Sequence, residues 1–211
     1  MKIWTPTEVR AFLDFVRDDR VYAAWLLVAT TGMRRGEVLG LRWSDLDLDA
    51  GRVSVAQTLT VVNQQVRVSE PKTAKGRRTV ALDPATVGAL RAHRIRQAEE
   101  RLALGPAWQE HGLIFSWYDG GPIHPERFSK WFEVRAIRSG LPRIRLHDLR
   151  HSYATAALAA NVSPKVVSER LGHAKVGITL DVYSHVLPSM DEQAALAVAR
   201  LILGDEPHPG S

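Results

Sequence analysis

The spacing of apolar residues changes in the middle of the chain, and this change limits the folds that the chain can adopt. Residues 52–62, 64–70 and 77–82 alternate apolar and polar side chains, with Asn63 between the first two segments. A period of two is typical of half-buried strands. The pattern predicts a mostly α protein that carries a small three-stranded antiparallel β-sheet (α+β).

The segments on either side have helical spacing. Thr5, Pro6 and Glu8 have the types and spacing of a capping box with proline at the first helical position. Further helices are predicted at about 21–31, 34–41, 84–104, 125–139, 147–160, 164–171, 178–186 and 189–203. We expect one domain over residues 1–205 and a disordered polar tail over 206–211.

The composition excludes several classes of protein. Of 211 residues 45% are hydrophobic, enough to bury a core, and no apolar run approaches the ~20 residues of a membrane span. The N-terminus has no signal-peptide core, and cysteine is absent, which removes disulfides and thiolate chemistry. The net charge of +5 is compatible with a polyanionic partner but does not by itself require one. We therefore expect a cytoplasmic protein that does not associate with a membrane.

The stretch LHDLRHSYAT presents a choice between a metal site and a phosphate site. On a helix, His147, Arg150 and His151 share one face. Two histidines four residues apart are the spacing of a zinc-binding helix, with His173 or Glu169 as a third ligand. Arg150 would place a permanent cation beside that metal. The charge therefore favours an anion such as a phosphate, and we expect neither a metal nor another cofactor.

A second candidate lies in TTGMRRGE, where Arg34 follows a glycine break near the start of a predicted helix. A guanidinium binds phosphate oxygens through two hydrogen bonds, and a helix N-terminus adds a favourable dipole. The alternative is a surface arginine paired with Glu37. Arg35 is a competitor for the same role, and the spacing does not exclude it.

The turn PKTAKGRRT holds Lys72, Lys75, Arg77 and Arg78. A charged turn between strands is usually a solvated loop. The functional alternative is a hairpin that faces DNA and carries one lysine as a proton donor, because lysine can lose its proton and arginine in effect cannot. Lys72 and Lys75 both remain candidates for that donor.

His173 follows a glycine in LGHAKV, and Tyr183 lies in DVYSHV. Taken alone, each residue has an ordinary structural interpretation, since a tyrosine in a helix is most often a core or boundary residue. A functional interpretation of both residues is supported by their order along the chain, because they follow the other candidate residues.

The stretches TGMRRGE, PKTAKGRR, LHDLRHSYAT, LGHAKV and DVYSHV, in this order, resemble the catalytic domain of tyrosine recombinases of the phage integrase family. The resemblance covers almost the whole chain and implies that family's catalytic-domain fold. The catalytic residues that it implies are Arg34, Lys72, His147, Arg150, His173 and Tyr183, with Tyr183 as the nucleophile. Lys75, Arg77 and Arg78 are expected to contact DNA.

The resemblance implies a site-specific recombinase that cleaves and rejoins strands of double-stranded DNA through a 3′-phosphotyrosine, and so integrates or excises a mobile element. A type IB-like topoisomerase and a DNA-binding module without catalysis are the alternatives. A metal is not needed in this chemistry, because the arginines take its electrostatic role.

Family members usually carry a separate helical DNA-binding domain before the catalytic domain. Here the catalytic-type region begins almost at Met1, so we expect this chain to lack that domain and to bind DNA weakly, with strong salt dependence. We expect a homotetramer on DNA for the full-length protein and a monomer for this fragment. The apolar segment after Tyr183 either docks on a neighbouring protomer or folds back on its own domain.

Overall fold

The protein is represented by a computed structural model that describes residues 2–69, 76–183 and 198–203, without the side chains of 181–183. Its helices are α1 (Pro6–Phe15), α2 (Tyr22–Thr31), α3 (Arg35–Gly40), α4 (Pro84–Leu104), α5 (Pro125–Arg138), α6 (Leu146–Ala159), α7 (Pro164–Leu171) and α8 (Val176–Tyr183). Its strands are β1 (Leu46–Asp47), β2 (Arg52–Val55), β3 (Thr58–Val62), β4 (Gln65–Ser69) and β5 (Arg78–Ala81). Residues 198–203 are helical. The mostly helical class with small antiparallel sheets is confirmed, whereas the tail at 206–211 and most of the last predicted helix lie outside the described residues.

The predicted helix boundaries at the N-terminal end are confirmed by hydrogen bonds. The Thr5 side chain accepts from the Glu8 amide at 3.3 Å, and the Glu8 carboxylate accepts from the Thr5 amide at 2.7 Å, which completes the capping box. α2 ends at Gly32, whose φ of +65° is a left-handed conformation that favours glycine. The chain therefore leaves α2 in a direction that brings α3 back against the body of the domain.

The prediction of one strand over 52–62 is wrong, because the chain breaks between β2 and β3, which belong to different sheets. The break lies where α3 comes closest: the Gln57 side chain donates to the Gly40 carbonyl at 2.8 Å, and a Cβ on Gly36 would lie 2.6 Å from the Leu59 carbonyl. Val53, Val55 and Leu59 are all buried at odd positions, so the alternation continues across the break and conceals it.

The first sheet has the order β1-β2-β5 and is antiparallel. β5 pairs with β2 so that Arg78 lies opposite Val55, and α7 packs beside β5. β3 and β4 form a separate hairpin, with Asn63 in the turn as predicted. The register therefore places Arg78, at the start of β5, next to the end of α7.

The core joins the N-terminal helices to α5 and α6. Trp25 stacks on Phe128 with ring centroids 4.3 Å apart, and Phe12 lies 5.2 Å from Phe132. The Trp4 amide donates to the Ser152 hydroxyl at 2.9 Å, which ties the start of the chain to α6. Burial of each such aromatic side chain contributes roughly 2–3 kcal/mol to the free energy of unfolding. These contacts therefore hold α6 firmly against α1 and α2.

In the part of the chain that the structure describes, no helix combines the length and the apolar character that crossing a membrane requires.

Candidate active site

Arg34 is the residue that precedes α3, and its side chain is fixed by the first turn of that helix. Its Nη1 donates to Glu37 Oε1 at 2.8 Å, while the Glu37 carboxylate accepts from the Arg34 amide, also at 2.8 Å. Glu37 is only 4% exposed, whereas the Arg34 side chain is 42% exposed. The Nη1 end of the guanidinium is therefore held by α3 while the side chain remains accessible from solvent.

Arg150 lies in α6 and is buried, with 3% of its surface exposed. Its Nη1 donates to the Gly32 carbonyl at 2.5 Å and its Nη2 donates to the Leu171 carbonyl at 2.8 Å. Gly32 ends α2 and Leu171 ends α7. Arg150 consequently links the ends of two helices that are distant in sequence.

The turn after α7 brings a third candidate residue to the same place. Gly172 has a φ of +66°, and its carbonyl accepts from Arg34 Nη2 at 3.1 Å. Since the neighbouring Leu171 carbonyl accepts from Arg150, two successive carbonyl groups bind the two arginines. His173 follows directly, so the backbone of this turn fixes the imidazole relative to both guanidinium groups.

The environment of His173 keeps its imidazole neutral. Its Nδ1 lies 2.9 Å from the Thr179 hydroxyl. Burial of the ring, followed by the positive charges of Arg150 and Arg34, lowers the pKa of His173 from 6.5 to about 4. At neutral pH His173 can therefore offer a hydrogen bond without adding a charge.

His147 lies in the first turn of α6, beside Arg150. Partial burial of the ring and then the charge of Arg150 lower its pKa below 6.5. The rings of His147 and His151 are perpendicular, with centroids 4.8 Å apart. Asp148 accepts from the amide of Arg145 at 2.9 Å and so acts as a helix-start residue. A neutral His147 is able to accept a proton at neutral pH.

A cavity of about 370 Å³ lies beside the start of α3 and the first turn of α6. Arg34, His147 and Arg150 are among its lining residues. Arg35 also lines it, but its side chain donates to the Ser129 hydroxyl at 2.7 Å and points towards α5. The geometry therefore pairs Arg34, rather than Arg35, with Arg150 and the His173 turn.

The remaining catalytic candidates are only partly described. Tyr183 is the last residue of α8, which follows His173 and packs against α7, but its side chain lies outside the described part of the structure. Lys72 and Lys75 also lie outside the described residues. The structure brings Arg34, His147, Arg150 and His173 together and leaves the placement of the nucleophile and the proton donor as predictions.

Arg77 and Arg78, both expected to contact DNA, have different environments. Arg77 is exposed. The Arg78 side chain is only 8% exposed and binds both oxygens of Glu37, at 3.0 and 2.8 Å. The position of Arg78 could have been foreseen in part, because it lies two residues before Val80 and so on the inward face of β5. Its pairing with Glu37, 41 residues away, leaves no signal in the sequence.

Among the described residues, the histidine, aspartate and glutamate side chains form no group of three or more that could hold a metal ion.

With the fold and these side chains described, the family of the chain can be stated. The sequence model of the phage integrase family matches residues 2–190, and the chain belongs to that family. The structure is similar to the crystal structure of XerA recombinase, with a TM-score of 0.73, 22% identity and coverage of 92% of this chain and 64% of that one. It is also similar to the Tn1549 transposon integrase in complex with transposon right end DNA, with a TM-score of 0.76, 22% identity and coverage of 92% and 66%.

Two curated relatives extend this similarity at the level of sequence. A tyrosine recombinase XerC-like protein of Caldanaerobacter subterraneus subsp. tengcongensis is 32% identical over 206 residues, which cover 92% of this chain and 53% of the relative. The ICEBs1 integrase of Bacillus subtilis is 32% identical over 199 residues, with the same two coverages. The chain therefore spans about half the length of the curated relatives that it matches.

Proposed function

We propose that the chain is the catalytic domain of a site-specific DNA recombinase that cleaves and rejoins strands of double-stranded DNA through a covalent 3′-phosphotyrosine at Tyr183. The observation that supports this most is the pair of adjacent carbonyls, Leu171 and Gly172, that bind Arg150 and Arg34. They hold two guanidinium groups at one turn beside His173. Both arginines also line a cavity that His147 lines.

Each arginine has a role that its chemistry explains. A phosphodiester under in-line attack gathers negative charge on its two nonbridging oxygens. Guanidinium groups fixed before the reaction stabilise that charge without reorganising, and such preorganised charges are usually the largest single contribution to catalysis. In this proposal Arg34 and Arg150 bind the scissile phosphate and His173 donates a further hydrogen bond to it.

Proton transfer accounts for the other candidates. A tyrosine with an ordinary pKa near ~10 needs a base, or a nearby positive charge, to become a nucleophile at neutral pH. His147 accepts the phenolic proton as a bond forms between the Tyr183 oxygen and phosphorus. The bond from phosphorus to the 5′ oxygen breaks, and Lys72 gives that oxygen its proton, with Lys75 as the alternative donor.

Rejoining is the reverse of cleavage with a different strand. A 5′-hydroxyl of another strand attacks the phosphotyrosine and releases Tyr183, so the phosphodiester is regenerated without a nucleotide cofactor. We propose that no metal takes part, because Arg34 and Arg150 supply the positive charge that a metal would otherwise provide.

The partners and the biological outcome follow from the same proposal. The lambda integrase has been solved as a tetramer bound to a Holliday junction, and XerH bound to its difH substrate. We propose that the whole protein to which this domain belongs acts as a homotetramer on paired DNA sites. In that assembly it would integrate or excise a mobile element.

A covalent-trapping assay tests the chemistry. Nicked duplexes with randomised flanks would be incubated with the chain in excess EDTA, and adducts that survive denaturation would be separated by electrophoresis. Tyr183→Phe is the test variant, and Tyr118→Phe, at an exposed tyrosine, is the matched control. We expect an adduct in the wild type and in Tyr118→Phe and none in Tyr183→Phe. An adduct in Tyr183→Phe would refute the assignment of the nucleophile, and dependence on a divalent metal would refute the proposed mechanism.

A further inference from the structure

Arg78 has a side chain that is only 8% exposed, and the proposed chemistry does not use it. Its Nε donates to the Arg170 carbonyl at 2.7 Å, and its Nη1 and Nη2 donate to the two oxygens of Glu37. The side chain thus starts on β5 and reaches both α3 and the end of α7. A guanidinium with this many internal acceptors is a structural link rather than a group directed at solvent.

Glu37 joins Arg78 to the candidate site. The same carboxylate that binds Arg78 through both oxygens also accepts from the Arg34 side chain and from the Arg34 amide. A buried carboxylate is costly unless its oxygens are satisfied and its charge is balanced. Arg78 supplies both, through a bidentate pair whose geometry is specific to arginine.

The charges of this group also favour Arg34 as a phosphate ligand. Glu37 paired with Arg34 alone would neutralise the arginine that is proposed to bind the phosphate. With Arg78 present, the three side chains keep a net positive charge, and Arg34 is the exposed member of the group. Arg78 therefore balances the charge of Glu37, so that the positive charge of Arg34 can attract a phosphate at the cavity.

The other end of the link lies at the His173 turn. A Cβ built on Gly172 would lie 2.7 Å from Arg78 Nη1, so the guanidinium is packed directly against this residue. The Gly172 carbonyl in turn accepts from Arg34. Arg78 thus packs against Gly172, the acceptor of that hydrogen bond, and binds the same carboxylate as Arg34, the donor.

We propose that Arg78 is a positioning residue for DNA strand cleavage. By bridging Glu37 and the end of α7, it holds Arg34 and the His173 turn in fixed positions relative to each other. The inference rests on the proposed function. It replaces the expectation that Arg78 binds a DNA phosphate, an expectation that remains for the exposed Arg77.

The test compares Arg78→Met with Arg77→Met, which removes the same charge at the adjacent position. For each variant, DNA affinity would be measured as a function of salt, and the rate of adduct formation would be measured at saturating protein. We expect Arg78→Met to slow cleavage roughly 100-fold, as small misplacements of catalytic groups do, with the salt dependence of binding unchanged. Arg77→Met should weaken binding and lower the salt slope by about one.

Two further variants separate positioning from a loss of folding. Arg78→Lys keeps the charge but cannot make the bidentate pair, so we expect it to restore thermal stability more than the cleavage rate. Glu37→Gln combined with Arg78→Met removes the unbalanced buried carboxylate and provides a folded background if Arg78→Met alone unfolds.

The pH profile supplies a readout that a purely structural role would not change. Burial raises the pKa of the Glu37 carboxyl, but the hydrogen bonds and positive charges of Arg78 and Arg34 outweigh this effect and hold that pKa below its ordinary value. Without Arg78 the carboxyl should take up a proton more readily, and its protonation would remove the negative charge that otherwise neutralises Arg34. The cleavage rate of Arg78→Met relative to that of the wild type should therefore rise as the pH is lowered, and that rise should be absent from the double variant.

Two results would overturn the proposal: a folded Arg78→Met that cleaves at the wild-type rate, or one whose affinity and salt slope fall as those of Arg77→Met do. If the wild type itself forms no adduct that depends on Tyr183, the proposed function fails instead, and the two failures are thereby distinguished.

Discussion

Arg150 donates a 2.5 Å hydrogen bond to the carbonyl oxygen of Gly32, which lies 118 positions earlier in the sequence. With its second bond, to Leu171, this makes the buried guanidinium a support for the ends of α2 and α7 as well as a candidate phosphate ligand. A single residue thus contributes both to folding and to the geometry of the site.

Replacing Arg150 by lysine should separate these two contributions. An ammonium group is a point charge that cannot reach both carbonyls with the planar fork of arginine. We expect Arg150→Lys to lower the rate of adduct formation roughly 100-fold or more and to lower the free energy of unfolding by about 2 kcal/mol. Arg101→Lys, at an arginine that is 61% exposed, is the control and should change neither quantity measurably. A normal cleavage rate in Arg150→Lys would argue against its role at the phosphate.

A side chain at Gly172 should be unfavourable, for two independent reasons. Its φ is +66°, and a Cβ would collide with the Arg78 guanidinium at 2.7 Å. We expect Gly172→Ala to lower the free energy of unfolding by about 1–2 kcal/mol and to slow cleavage as Arg78→Met does. Unfolding by urea and the adduct assay would measure the two effects.

Gly140→Ala isolates the backbone contribution to this prediction. Gly140 has a φ of +73° with nothing within 4 Å of its Cβ position, so only strain should appear there. Gly172→Ala should lower the free energy of unfolding by more than Gly140→Ala does. This difference should disappear in an Arg78→Met background, because the collision with the guanidinium is then removed. Full additivity of the two substitutions would contradict the close packing of Arg78 on Gly172.

The sequence predicted the helices and the residue types of the site, but it did not predict how the strands and the buried charges are arranged. Capping residues and glycine breaks have local causes, which is why Thr5, Glu8 and Gly32 mark helix ends correctly. The division of residues 52–62 depends on the approach of α3. Since Val55 and Leu59 keep the same parity across the break, no local pattern reveals it.

The site itself shows the same division between local and distant causes. Arg34 and Arg150 could be selected by residue type and by the family's order of motifs. Their contacts with the turn at Leu171 and Gly172 depend on tertiary packing, across 138 residues for Arg34 and across 21 for Arg150. The density of positive charge in the turn before β5 does not show which of its side chains faces inward, as the Arg78 side chain does.

The depressed pKa of His173 gives the stability of the fold a pH dependence. The folded pKa of about 4 lies below the ordinary 6.5, so below pH 6.5 the unfolded chain binds a proton that the folded protein does not. Stability should therefore be complete above 6.5 and should decrease as the pH falls towards 4. His147 and His151 act in the same direction, because their pKa values are also lowered, first by burial.

Comparison with His173→Gln isolates this contribution. Between about pH 7.5 and about pH 5, the wild type should lose roughly 1 kcal/mol more than the variant, a figure reduced for partial solvent screening. Urea midpoints at the two pH values would measure the difference. Equal losses in the two proteins would show that His173 titrates normally in the folded state.

If His147 accepts the proton of Tyr183, the decrease of the cleavage rate at low pH (the acid limb of the pH profile) should follow the protonation of His147. Burial of the ring and then the charge of Arg150 lower its pKa below 6.5, so the neutral, basic form persists to a lower pH than that of an ordinary histidine. We expect the ratio of cleavage rate to dissociation constant, which reports groups of the free enzyme, to remain level through neutrality. It should fall only below pH 6.5, with a limiting slope of about one.

The matched variants for this profile are His147→Gln and His111→Gln, the latter at an exposed histidine. His147→Gln should lower the plateau roughly 100-fold, within the range for loss of a general base, and should abolish the acid limb. His111→Gln should reproduce the wild-type profile. An acid limb that survives in His147→Gln would assign the titration to another group, and the proton of Tyr183 would then have to leave by a route that does not involve His147.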